Sequence, residues 1–222
     1  MSSPEKPALE YPFLQAEFIQ ALENSGSACT ETGWEPIHLS LSSDNQDAFM
    51  PLYLKDHSMG EYVFDYAWAN AYHQNGLDYY PKLLTAVPFT PSEGPRIRGH
   101  HSLNQDHCQQ LFEEVLAVAA DTGASSWHCL FPDSNQRALF DDPRLLQRSG
   151  VQYHWHNRDY QSFDDYLAAL NSRKRKMVRK ERAEIAAQGL NVEVLEGAQI
   201  SPTIWQLFYQ LYERTYAKRN GT

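Results

Sequence analysis

The chain has 222 residues and a formal net charge of −9, with 42% hydrophobic and 13% aromatic residues. That length and apolar content can bury a sizeable core, which excludes a largely disordered chain, and the negative balance excludes a global attraction to polyanions. Three cysteines without a CxxC pair (Cys29, Cys108 and Cys129) and the lack of any apolar run near about eighteen residues exclude a disulfide framework, a zinc knuckle and a membrane span, and fit a cytoplasmic protein.

In chain order, residues 1–10 read as a loose tail. PFLQAEFIQALENSG carries Phe13, Phe18, Ile19 and Leu22 at helical spacing and ends in Ser-Gly, which predicts a short amphipathic helix with a glycine stop. EPIHLSLSS and AFMPLYLKDH alternate apolar and polar positions about a polar SSDNQD turn and predict a hairpin. Further on, KLLTAVPFT reads as a short apolar strand and GPRIRG as another short strand. NQDHCQQLFEEVLAVAADTG predicts a helix capped by Asn104, with a stripe of Leu111, Val115, Leu116, Val118 and Ala119 and a stop at Gly123. SSWHCLFP predicts a buried strand, SNQRALFDDPRLLQRSG helical turns and VQYHWHN an alternating strand.

The pattern implies a mixed α/β layer over residues 11–160. From there SFDDYLAALNSRKRKMVRKERAEIAAQGL predicts helix, with a break near Asn171 and Ser162 and Asp165 at capping-box spacing. NVEVLE predicts a strand and SPTIWQLFYQLYERTYAKR a closing helix begun by Ser-Pro. A domain over residues 161–222 has too few strands for a sheet of its own, so the sequence is expected to be cut short at its C-terminus.

Two stretches carry chemistry. EYVFDYAWANAYHQNGLDYYPK, residues 61–82, sets seven aromatic residues among carboxylates. If residues 61–74 are a helix, steps of about 100° gather Phe64, Asp65, Trp68 and Tyr72 on one arc, where burial would raise the Asp65 pKa toward that of a general base. If EYVFDY instead starts as a strand, those side chains separate. In DYYPK an extended backbone would send Tyr79 and Tyr80 to opposite sides, one to the core and one to a cleft. Expected roles follow from these positions: Asp65 or Glu61 as base, Tyr79 or Tyr80 as acid or platform, and Trp68, Tyr72 and Lys82 at the substrate. The plain alternative is an aromatic core with Asp65 at its rim.

The second stretch, RKRKMVRKER at residues 173–182, holds seven of the nineteen Lys and Arg and one of the twenty-eight Asp and Glu. On a helix Arg175, Arg179 and Arg182 form one ridge, suited to phosphate, and Arg173, Lys176 and Lys180 a second; a solvated face is the alternative. His154 and His156, and the group His100, His101, His107 and Cys108, lack HExxH or CxxC spacing, so no metal is expected. Walker, GxGxxG and GxSxG motifs are missing as well.

The stretch from Pro51 to Pro91, PLYLKDHSMGEYVFDYAWANAYHQNGLDYYPKLLTAVPFTP, followed by FDDYLAALNSRKRKMVRKER, resembles the bacterial FemAB-like predicted N-acyltransferases, a branch of the GNAT superfamily linked to peptidoglycan biosynthesis. The resemblance spans nearly the whole chain beyond the tail. It implies a GNAT-like twisted mixed sheet flanked by helices, followed by the incomplete start of a second GNAT-like domain. It also implies transfer of an acyl or aminoacyl group, from acyl-CoA or aminoacyl-tRNA, onto an amine of a cell-wall precursor, peptide or small molecule. The usual GNAT phosphate loop, Q/RxxGxG/A, is not found in HHSLNQDH. Two alternatives stay open: a non-catalytic module that recognises a glycan or peptide, and RNA binding through the basic helix.

Overall fold

The computed structural model describes residues 11–43, 46–99, 105–140 and 142–220. The chain divides into two compact units, Met1–Ser149 and Gly150–Thr222.

In the first unit, helix α1 (Ala16–Asn24) follows a tight turn over Pro12–Leu14, buries Ile19 and ends before Gly26, whose φ of 72° suits a residue without Cβ. Strands β2 (Leu39–Ser43) and β3 (Gln46–Met50) form the expected antiparallel hairpin. The two runs expected as its single strands are each longer than the hairpin and are divided. Glu35–Pro36 (β1) and Tyr53–Lys55 (β4) leave it to pair with one another. Pro51 separates β3 from β4 because it has no N–H to continue a ladder.

The main sheet has the order β1-β4-β5-β6, where β5 is Lys82–Thr85 and β6 is Trp127–Cys129. The β4–β5 pair is antiparallel and the β5–β6 pair parallel, the mixed α/β architecture expected. The parallel step is reached through helix α3 (Gln105–Thr122), which buries Leu111, Phe112 and Val115. Asn104, expected as its cap, lies outside the described residues, as do His100 and His101. GPRIRG makes isolated bridges, Gly94 with Pro132 and Arg98 with Phe49, rather than a strand. Helix α4 (Ser134–Leu139) is capped by Asp133, which accepts from the Gln136 amide.

Both faces of this sheet are covered, and the pleat sorts its residues between them. Leu83 packs with Met50, Leu52, Ile97, Leu111 and Val115, with Leu54 and Trp127 against the same cluster. On the other face Tyr53 and Leu84 pack with Ala28, Trp34, Ala86 and Leu130. Lys55 and Lys82 are register partners two positions from Tyr53 and Leu84, so the pleat places them on this second face as well.

In the second unit α5 (Phe163–Ala169) opens on the expected capping box: Ser162 Oγ accepts from the Asp165 amide and the Asp165 carboxylate from the Ser162 amide. Asn171 ends that turn and caps α6 (Ser172–Ala187) through the Lys174 amide. Helix α7 is Pro202–Asn220. VQYHWHN and NVEVLE, read as strands, are exposed irregular segments. Alternation alone does not make a strand; each needs a ladder partner, and this unit has none among the described residues.

Leu83→Ala, at a fully buried position of β5, is expected to cost about 2–5 kcal/mol. Leu146→Ala, at a side chain 88% exposed, should stay within about 0.5 kcal/mol. Urea unfolding midpoints at constant slope measure both.

Candidate active site

The segment between β4 and helix α2 (Tyr66–Gln74) carries three acids; Asp56 stays exposed, and the other two turn inward. Glu61 is 3% exposed and Asp65 1%. What draws them in is Lys82, itself fully buried at the start of β5. Its ammonium donates to Asp65 Oδ2 at 2.6 Å, Ser58 Oγ at 2.7 Å and Glu61 Oε2 at 2.8 Å. Three donors meet three acceptors, which is what a buried cation requires.

Asp65 Oδ2 also accepts from the Tyr79 hydroxyl at 2.7 Å and from Ser58 Oγ at 3.0 Å. Ser58 has one proton, and with that proton on Asp65 the 2.8 Å contact between Ser58 Oγ and the Tyr80 hydroxyl makes Tyr80 the donor. A hydrogen-bond chain therefore runs from the half-buried Tyr80 through Ser58 to Asp65. The two tyrosine rings pack edge to face at 5.0 Å. This differs from the expectation that they point to opposite sides, because both hydroxyls are held by the same polar network.

Surroundings push the two acids apart. Burial raises the Glu61 carboxyl above the ordinary range, against the opposing pull of Lys82. Burial also acts to raise Asp65, but the hydrogen bonds of Lys82, Tyr79 and Ser58, with the Lys82 charge, hold it below its ordinary value. Burial and the bond to Asp65 raise the Tyr79 hydroxyl, which keeps its proton. The other oxygens, Glu61 Oε1 and Asp65 Oδ1, are buried with no hydrogen-bond partner among the described residues.

Lys55 sits opposite Lys82 in the β4–β5 register and is also fully buried. Its ammonium lies 3.9 Å from the centre of the Trp34 ring and 3.5 Å from the Met59 carbonyl. Burial pulls it down to about 8, against the charges of Glu61 and Asp56 and with that of Lys82. His128 of β6 stands edge-on to Tyr79, and its Nε2 lies 2.9 Å from Ser126 Oγ. Burial, aided by the Lys82 charge, lowers it to about 4, so the ring is neutral near pH 7.

The fold thus brings Glu61, Asp65, Tyr79, Tyr80 and Lys82 together and adds Ser58, Lys55 and His128, which the sequence does not single out. Tyr72 reaches the group through its edge contact with Tyr79 at 5.2 Å. Trp68 does not: it is 49% exposed, with the Arg148 guanidinium 5.4 Å from its ring. The single arc of Phe64, Asp65, Trp68 and Tyr72 does not form, because the helix starts at Tyr66 and Asp65 stands at its cap position.

In the second unit the basic ridge faces its own neighbour. Arg175 donates to the carbonyls of Leu167, Ala168 and Leu170 and so closes the end of α5. Arg179 approaches Asp164 at 3.6 Å, and the Arg182 guanidinium lies 4.4 Å from the Phe163 ring. His154 and His156 stack at 6.1 Å in an exposed segment. Among the described residues no group of three or more His, Cys, Asp or Glu is placed to hold a metal, and no helix is long and apolar enough to cross a membrane.

Compared with known proteins, residues 5–222 match the family model for FemAB-like proteins, described by peptidoglycan biosynthesis/recognition. Neither a curated protein nor a solved structure matches the chain.

Lys82→Met, which strands two buried carboxylates, should destabilise the fold by about 3–5 kcal/mol, and adding Glu61→Gln and Asp65→Asn should recover part of that loss. Chemical unfolding of the three chains measures this. A second outcome concerns Lys55. Its folded value near 8 lies below the unfolded 10.5, so the unfolded chain binds more protons between them and the Lys55 contribution to stability rises with pH across that window. The difference in unfolding free energy between wild type and Lys55→Met, followed from pH 8 to about 10, should grow in favour of wild type.

Proposed function

The chain belongs to the FemAB-like family, and on that premise we propose that it is a transferase that moves an acyl or aminoacyl unit onto an amine of a cell-wall precursor or peptide, with acyl-CoA or aminoacyl-tRNA as donor. The observation that carries the reading is a pair of buried carboxylates set to opposite proton affinities about one lysine, joined to the half-buried Tyr80 through Ser58.

An amine acceptor reaches neutral pH as an ammonium and must lose a proton before its lone pair can attack. Glu61, with its raised pKa and an Oε1 that has no hydrogen-bond partner among the described residues, is the group matched to take that proton. The nitrogen then bonds to the donor carbonyl carbon, the C–O or C–S bond to the carrier breaks, and the leaving group takes up a proton as the amide forms. Asp65 stays ionised and holds Lys82 and Tyr79 in place, a positioning role. Lys82 bonds both Glu61 and Ser58, and Ser58 meets the Tyr80 hydroxyl, so Lys82, Ser58 and Tyr80 supply the line along which the proton taken by Glu61 returns to the leaving group. The rings of Tyr62 and Phe64, turned to solvent, favour a second reading, in which the unit recognises a glycan without turnover.

A donor that prefers the folded state must raise the melting temperature, by an amount equivalent to about 2.7 kcal/mol at a hundredfold excess over Kd. Acetyl-CoA, a long-chain acyl-CoA and an aminoacyl-tRNA are the compounds to compare, and one class should produce the shift. With that donor, Glu61→Gln should lower the transfer rate about 10²–10⁴-fold, measured at a temperature where unfolding curves show the variant folded. Unchanged rates for Glu61→Gln and Tyr80→Phe together would remove the assignment, and no shift from any donor would leave the binding reading in its place.

A further inference from the structure

From residue 61 to residue 66 burial alternates strictly, and the polarity of the alternation is inverted. Glu61 and Asp65 point inward at 3% and 1% exposure, with Val63 between them packed against the Trp34 cluster. Tyr62, Phe64 and Tyr66 point outward at 53%, 82% and 61% exposure. A loop selected for stability alone would place the rings inside and the carboxylates in water. Here three aromatic side chains face solvent while two charges are buried beneath them.

The backbone supports the same conclusion. Tyr62 has φ of 59°, a left-handed conformation unfavourable for a bulky side chain, as does Phe89 at 57°. Phe89, 41% exposed, lies against Gly60, where an added Cβ would come within 2.7 Å of its ring and 3.2 Å of Trp34. Gly60 lets the backbone pass under Phe89, and Tyr62 follows two residues on. The ring of Tyr62 gains too little burial to explain that conformation.

Resting on the peptidoglycan reading above, we infer that the outward side of the Tyr62–Tyr66 loop is a sugar-binding platform that takes the uncharged pyranose rings of a glycan strand. The three rings offer roughly 400 Å² of aromatic surface at about 150–250 Å² per full side chain. This is half or less of the ~800 Å² per partner of a standard protein interface, and it suits a few sugar rings stacked on their C–H faces. Charge selects in the same direction. With Glu61 and Asp65 buried on Lys82, the exposed charges of residues 56–81 are Asp56 and Asp78, with no Lys or Arg in that span, which disfavours an anionic ligand or an anionic membrane surface.

The test is a titration of the full chain, with no donor present, by a neutral β-1,4-linked N-acetylglucosamine tetramer, followed by calorimetry. Wild type should bind, and Tyr62→Gly and Phe64→Ser should each lose at least tenfold in affinity. Tyr62→Gly should keep or raise the melting temperature, since glycine relieves the left-handed strain. Equal binding by wild type and both variants would overturn the platform, and so would a clear fall in melting temperature for Tyr62→Gly, which would make the ring structural. Binding to phosphatidylcholine vesicles without binding to the tetramer would assign the loop to a membrane and equally overturn it. Because no donor is present, these outcomes are independent of whether transfer occurs.

Discussion

The first unit is organised around one ammonium group. Lys82 is buried at the start of β5, an inner strand of the sheet, and water cannot solvate it there, so its three N–H donors must be met by the protein. The acceptors come from Ser58, Glu61 and Asp65, all in the segment that follows β4. That requirement turns the segment inward at Glu61 and Asp65 and stops helix α2 from beginning before Tyr66. It also gathers the tyrosine hydroxyls and leaves the intervening aromatic rings facing out. A buried ion group of this kind is a poor source of net stability, since desolvation takes back most of the Coulombic gain. What it supplies here is geometry: acids of unlike proton affinity, held at fixed distances from shared hydroxyl donors.

Much of the scaffold was legible in the sequence because its signals are local. The stripe of Leu111 and Val115, the Ser162–Asp165 capping box, the Asn171 break and the Ser-Pro start of the last helix each depend on residues a few positions apart. The site was legible in part, for the same reason: Glu61, Asp65, Tyr79, Tyr80 and Lys82 lie in one stretch of unusual composition. What escaped was non-local. Lys55 enters through cross-strand register with Lys82, and His128 through a parallel pairing that follows an eighteen-residue helix. Neither relation leaves a mark in the local sequence. Of the helix considered over residues 61–74, only Tyr66–Gln74 forms, because helical periodicity in the aromatics competed with the need of two carboxylates for one cation, and the ion group won over the first turn.

The basic helix of the second unit shows how a charge run can be read two ways until its partners are known. Its composition suits phosphate, but Arg175 uses its guanidinium on three carbonyls at the end of α5, where the helix dipole also favours a cation. Arg182 covers the Phe163 ring with its cationic face. The ridge Arg173, Lys176 and Lys180 stays exposed on the same helix. Local architecture thus takes up much of the first ridge and leaves the second in water.

The cross-strand pair Lys55–Lys82 has one more consequence. In a sheet with apolar packing on both faces, hydrophobicity alone discriminates weakly between neighbouring alignments, because Leu54, Leu83 and Leu84 would be buried either way. A shift of one residue between β4 and β5 would carry a lysine to the leucine-lined face, where no carboxylate among the cluster residues could meet it. The two lysines therefore act as an error check on strand alignment: misaligned chains are rejected by an unsolvated charge, and the chain that passes is the one in which the site is assembled.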